Sequence, residues 1–188
     1  LTYIFFVLLL YILLSYKYID KVKYRKWLYF LPLIFLLWAN SHMGVLAGGL
    51  ILFVFTLSET ITYFKPSSFT SSEIKALSKT ELRNLWIISI VSAVMLLVNP
   101  HGISTYVYAY SHTKMKMLES VNEWQSPFSS KLDFGFIITL YKIFIFSGIL
   151  VLYYAFKKKD MFFALMFISF AIYSVRAIRF TVDYELIM

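Results

Sequence analysis

The chain has 188 residues, of which 60% are hydrophobic and 20% aromatic, with a mean hydropathy of +0.73 and a formal net charge of +8. That is more apolar surface than one soluble core of this length can enclose, so the composition excludes an ordinary soluble domain and points to a lipid bilayer as solvent. A sequence with no cysteine also excludes a disulfide framework, a thiolate nucleophile and a cysteine metal site.

Apolar runs at residues 1–16, 27–40, 43–64, 85–99, 134–156 and 161–175 predict about six spanning helices, hence an all-α, polytopic integral membrane protein. Unbroken runs of this length argue against the alternating pattern of a lipid-embedded β-barrel. Residues 1–188 read as a single transmembrane domain. Leu1 lies inside an apolar run without an initiator methionine or basic leader, so the sequence reads as an internal fragment, with upstream helices and a first external loop expected before it. The run at 27–40 is short: at ~1.5 Å per residue it reaches about 21 Å, less than a ~30 Å hydrocarbon core.

Three stretches between the runs, residues 17–26, 65–84 and 157–160, hold twelve of the 18 basic residues and are expected on the cytoplasmic side. Two runs separate each consecutive pair, so the parity of crossings agrees. The turn at 40–44, the segment 101–133 and the end from Arg176 onward then fall outside. Orientation accounts for the positive charge, and no nucleic-acid partner is implied. Within 65–84, Ser71, Ser72 and Glu73 are placed to cap a short amphipathic helix containing Ile74, Leu77 and Leu82.

Four polar motifs fall on the expected outer side. Trp38-Ala39-Asn40-Ser41-His42-Met43-Gly44 puts an amide and an imidazole where a short helix stops, and Gly44, Gly48 and Gly49 permit close helix contact. A capped hairpin with a packed Trp is the structural alternative. Asn99-Pro100-His101-Gly102 is a turn sequence and reads first as a helix stop. Paired with His42 on the same side, His101 adds a second imidazole able to donate to a phosphate or a sugar hydroxyl. Glu123-Trp124-Gln125-Ser126-Pro127, downstream of Glu119, sets an indole between a carboxylate and an amide, a combination that can hold a sugar or simply anchor a loop at the interface. Arg176 and Arg179, at i and i+3 after the last run, are expected to share a helix face and to grip a phosphate, unless they pair with Asp183 and Glu185. Lys142, inside the fifth run with Lys131 and Asp133 at its outer edge, calls for an outward snorkelling path or a carboxylate partner. His42, His101, His112 and Glu123 show no metal-ligand spacing, so no metal or other cofactor is assigned, although divalent metal dependence stays open.

Taken in order, Trp38-Ala39-Asn40-x-His42-x-Gly44, Asn99-Pro100-x-Gly102, Glu123-Trp124-Gln125-Ser126-Pro127 and Arg176-x-x-Arg179 resemble a family of bacterial multi-pass, glycosyltransferase-like proteins akin to the dolichyl-phosphate-mannose protein mannosyltransferases of the GT-C fold. Met43 stands where a small residue is expected, and His101 where an aromatic is commoner. The resemblance implies a cell-membrane enzyme that takes a sugar from a polyprenyl-phosphate carrier and transfers it, outside the cytoplasm, to a lipid, glycan or protein. In that family the essential acid lies in the first external loop, so the catalytic base is expected upstream of Leu1. Arg176, Arg179, His42 and His101 are then expected at the donor phosphate, and Asn40, Asn99, Glu123, Trp124 and Gln125 at the sugar or acceptor. A polysaccharide polymerase or ligase, or a multi-pass transporter, are the competing readings.

Overall fold

The computed structural model describes residues 2–70, 75–129, 135–185 and 187; the cap expected at Ser71, Ser72 and Glu73, and Lys131 and Asp133, lie outside them. All regular elements among the described residues are helical. They are α1 (Thr2–Leu14, continued by a π-helical turn Ser15–Ile19), α2 (Lys21–Leu28), α3 (Leu31–Ala39), α4 (Val45–Phe64), α5 (Pro66–Phe69), α6 (Lys79–Met95), α7 (Ser104–His112), α8 (Gly135–Lys157), α9 (Met161–Val175) and α10 (Thr181–Glu185). Two compact units result: Leu1–Thr105 with Lys159–Phe162, and Tyr106–Lys158 with Phe163–Met188.

Among the described residues three helices are long and apolar enough to cross a membrane: Thr2–Ile19, Val45–Phe64 and Ile138–Lys157. This corrects the expectation of about six. The run at 27–40 is divided, because Pro32 has no N–H for the Leu28 carbonyl and its ring crowds that oxygen. Tyr29 and Phe30 therefore form a turn, with Phe30 N–H bonded to Trp27 O at 3.1 Å, and α3 keeps only nine residues, about 14 Å. The run at 85–99 begins earlier, as α6, because Ser78 and Glu81 form a reciprocal capping box; it ends at Met95, ahead of the Asn99-Pro100 turn. The last run forms α9, 15 residues long.

In the first unit α1 and α4 run parallel. A Cβ on Gly44 would sit 2.6 Å from Thr2 Cγ2, while one matched interval along both helices Lys17 pairs with Glu59. Helix α6 runs against α4, joined by Thr56 Oγ1 to Ser89 Oγ at 2.8 Å and by Trp86 Nε1 donating to Thr60 Oγ1 at 3.1 Å. Helices α3 and α6 run side by side in the same direction: Tyr29 and Pro32 face Asn84 and Ile87, and Asn40 reaches Val98. Trp38, fully buried, stacks on Phe5 at 5.7 Å and fills the space over Gly48, where a Cβ would approach its ring to 2.4 Å. Gly49 has open space instead and makes no such contact.

In the second unit Gly148 lets α8 lie against Phe167 and Tyr184, and Tyr141 Oη shares a hydrogen bond of 2.8 Å with Ser174 Oγ. The Tyr184 hydroxyl donates to Phe144 O at 3.3 Å, and burial pushes its pKa up to about 12.

Candidate functional site

The nine candidate residues fall into two sets, one in each unit. In the first unit the turns at 40–44 and 99–102 meet. Asn40 Nδ2 donates to Leu36 O and to Val98 O, both at 2.8 Å, and so ties the end of α3 to the segment after α6. His42 Nδ1 accepts from Gly44 N–H at 2.9 Å, which leaves Nε2 to carry the ring proton, and the side chain is exposed. Asn99 is spent on its own turn: Nδ2 donates to Leu96 O at 2.9 Å and Gly102 O at 3.2 Å, and Oδ1 accepts from His101 N–H and Thr105 Oγ1, both at 3.0 Å. Gly102 closes this turn at φ +52°, a left-handed position that suits glycine. The amide nitrogens of both asparagines therefore serve the backbone, while the imidazoles of His42 and His101 are exposed.

In the second unit two motifs more than 40 residues apart are held together. Ile178 N–H donates to Gln125 O at 3.0 Å, and Ser126 Oγ donates to Val175 O at 2.8 Å. The Arg179 guanidinium lies over the Trp124 ring, 4.4 Å from its centroid, and His112 lies beside the same indole at 5.9 Å. Phe180 meets Trp124 edge-on at 6.2 Å and stacks on Tyr173 at 4.2 Å. A guanidinium laid on an aromatic face has its N–H groups in the plane of the stack, directed outward from the ring, where an anion can accept from them. Glu123, Arg176 and Arg179 are exposed, and Trp124 and Gln125 are half-buried.

The shared helix face expected for Arg176 and Arg179 is corrected by the backbone. Helix α9 ends at Val175, Ala177 is extended at φ −156° and ψ 144°, and Arg179 belongs to a separate 3-10 turn, Ile178–Phe180. Lys142, half-buried in α8, lies over the Phe128 ring at 5.4 Å. Among the described residues, His, Cys, Asp and Glu side chains do not gather in threes at metal-binding range.

The other polar cluster lies at the opposite end of the first unit, where the three basic stretches are stitched together. Lys21 Nζ donates to Lys75 O at 2.7 Å, Lys159 Nζ to Ser67 O at 3.1 Å, and Tyr18 Oη to Asp160 Oδ2 at 2.7 Å. Burial lowers the pKa of Lys21, partly opposed by the charges of Glu59 and Glu81. Beneath them Lys17 pairs with Glu59, outside the four polar motifs of the sequence. Its signal is a single acid in the apolar stretch that becomes α4, which in a bilayer calls for a buried cation. No protein-family model, curated protein or solved structure matches this chain.

Proposed function

We propose that the chain is the membrane-embedded part of an extracytoplasmic glycosyltransferase that uses a polyprenyl-phosphate-linked sugar, with Arg179 and Trp124 at the centre of its donor site. The observation that carries this reading is the Trp124–Arg179 stack, which sets a guanidinium on an indole that His112 also adjoins and that follows the exposed Glu123 in the chain. A phosphate would accept from the arginines, and Glu123 and Gln125 offer polar groups for sugar hydroxyls. His42 and His101 form a second set of donors, carried by the first unit.

In this reading Thr2–Ile19, Val45–Phe64 and Ile138–Lys157 cross the bilayer, with α3 and α6 packed together in the first unit and α9 in the second. The joining of the three basic stretches at one end of the first unit, and of the 40–44 and 99–102 turns at the other, supports a cytoplasmic and an external face.

Replacing Arg179 by Ala in the full-length protein is expected to abolish sugar transfer from a polyprenyl-phosphate donor in isolated membranes while membrane insertion is unchanged. Retained transfer would remove Arg179 from the mechanism.

A further inference from the structure

The break between α2 and α3 leaves an open cleft of about 270 Å³, lined by Tyr29 and Pro32 on one side and by Asn84, Ile87, Ile88 and Val91 of α6 on the other. Its walls are apolar except for the Tyr29 hydroxyl and the Asn84 amide. Tyr29 keeps helical dihedrals, φ −69° and ψ −14°, so Arg25 and Lys26, four and three residues earlier, lie over the same side of α2. Both are exposed, so the eight-residue α2 presents two cations above an apolar slot. Arg25 also acts electrostatically on Glu81, one turn before Asn84, which sets its charge at this end of α6. The Glu81 carboxylate accepts from Ser78 N–H and Oγ, both at 2.8 Å, and is thereby engaged in the α6 cap.

A slot of this kind, apolar within and cationic at its mouth, is complementary to an amphiphile with one negative charge at its head. We infer that the cleft holds an acyl chain of an anionic phospholipid whose headgroup phosphate is bound by Arg25 and Lys26. The inference rests on the membrane reading of the chain, not on the glycosyltransferase assignment. The occupant would fill the space left by the turn at Tyr29–Phe30 and brace the divided helix against α6. Trp27 would lie at headgroup depth, as indoles do at membrane interfaces.

Native mass spectrometry of the full chain in neutral detergent tests this, with dioleoyl-phosphatidylglycerol and dioleoyl-phosphatidylcholine as probes of identical chains and different heads. The wild type is expected to bind phosphatidylglycerol at least about tenfold more tightly. Arg25→Gln with Lys26→Gln should reduce that affinity to the phosphatidylcholine level. Ile87→Trp, at a partly exposed wall position, should weaken both lipids. Equal binding of the two lipids by the wild type, or a headgroup preference that survives loss of both cations, would overturn the site. Carbonate extraction of cell membranes separates the two failures: release of the protein into the supernatant overturns the membrane reading itself, whereas a retained protein without headgroup preference overturns the lipid site alone.

Discussion

Lys17 Nζ donates to Glu59 Oε1 between the end of α1 and the last third of α4, with side-chain exposures of 4% and 2%. Two charges so enclosed are tolerable only as a pair, since removal of either leaves the other buried without a counter-charge. Glu59→Gln or Lys17→Met is therefore expected to destabilise the protein by about 3–5 kcal/mol, read as a fall in the thermal midpoint in detergent. The double substitution Lys17→Met with Glu59→Leu should recover much of that loss. Additive losses in the double variant would show that the two side chains act separately.

The α6 cap gives a pH dependence of defined sign. Burial tends to raise the Glu81 pKa, but the hydrogen bonds from Ser78 N–H and Oγ, aided by the charges of Lys21 and Arg25, more than offset it and hold the carboxyl below its usual value. A depressed folded-state pKa contributes stability above the unfolded-state value, and that contribution disappears as pH falls through the folded one. Thermal midpoints measured downward from neutral pH should fall in the acid range. Glu81→Gln should flatten this part of the profile, and Ser78→Ala should cost about 1 kcal/mol at neutral pH.

Gly48 and Gly49 are adjacent in α4 yet differ in surroundings. A methyl group at Gly48 meets Trp38 at 2.4 Å, whereas one at Gly49 meets open space. Gly48→Ala is expected to destabilise by about 1–3 kcal/mol through overpacking. Gly49→Ala should be neutral or stabilise by up to about 1 kcal/mol, because alanine is the better helix former. Thermal melts of the two variants side by side make the comparison; equal effects would contradict the placement of Trp38.

Membrane orientation can be read with single cysteines in this cysteine-free chain. Ser41→Cys and Ser126→Cys should react with an impermeant maleimide on intact cells. Ser72→Cys and Lys158→Cys should react only after permeabilisation. Labelling of position 72 from outside would reverse the proposed orientation.

The helical class and the grouping of the basic stretches were legible in the sequence because both follow from composition along one strand of chain. Lengths of the apolar helices were less so. Hydropathy does not register that Pro32 withdraws one donor and divides a run, or that Ser78 and Glu81 begin a helix ahead of its apolar part. Site residues followed the same divide. The conjunction of Trp124 with Arg179 could be anticipated as motifs but not as a contact, since 55 positions separate them. Asn40 and Asn99 illustrate the opposite case: their polarity attracts a binding role, while their amide nitrogens hold backbone carbonyls. The Lys17–Glu59 pair escaped because Lys17 reads as the first residue of a basic loop, and only the π-helical extension of α1 carries it inward.

The parallel pairing of α1 with α4 also bears on biogenesis. Lys17 and Glu59 are 42 residues apart in the chain. At about 5–20 residues per second, a ribosome needs roughly 2–8 s to make the acid after the lysine. During that interval a nascent α1 in a bilayer would carry an uncompensated cation near its end, which the lysine can bear by reaching toward the headgroups. Helix α1 would thus enter the membrane in a shallower, provisional seat and settle only when the chain had turned twice and delivered its counter-ion.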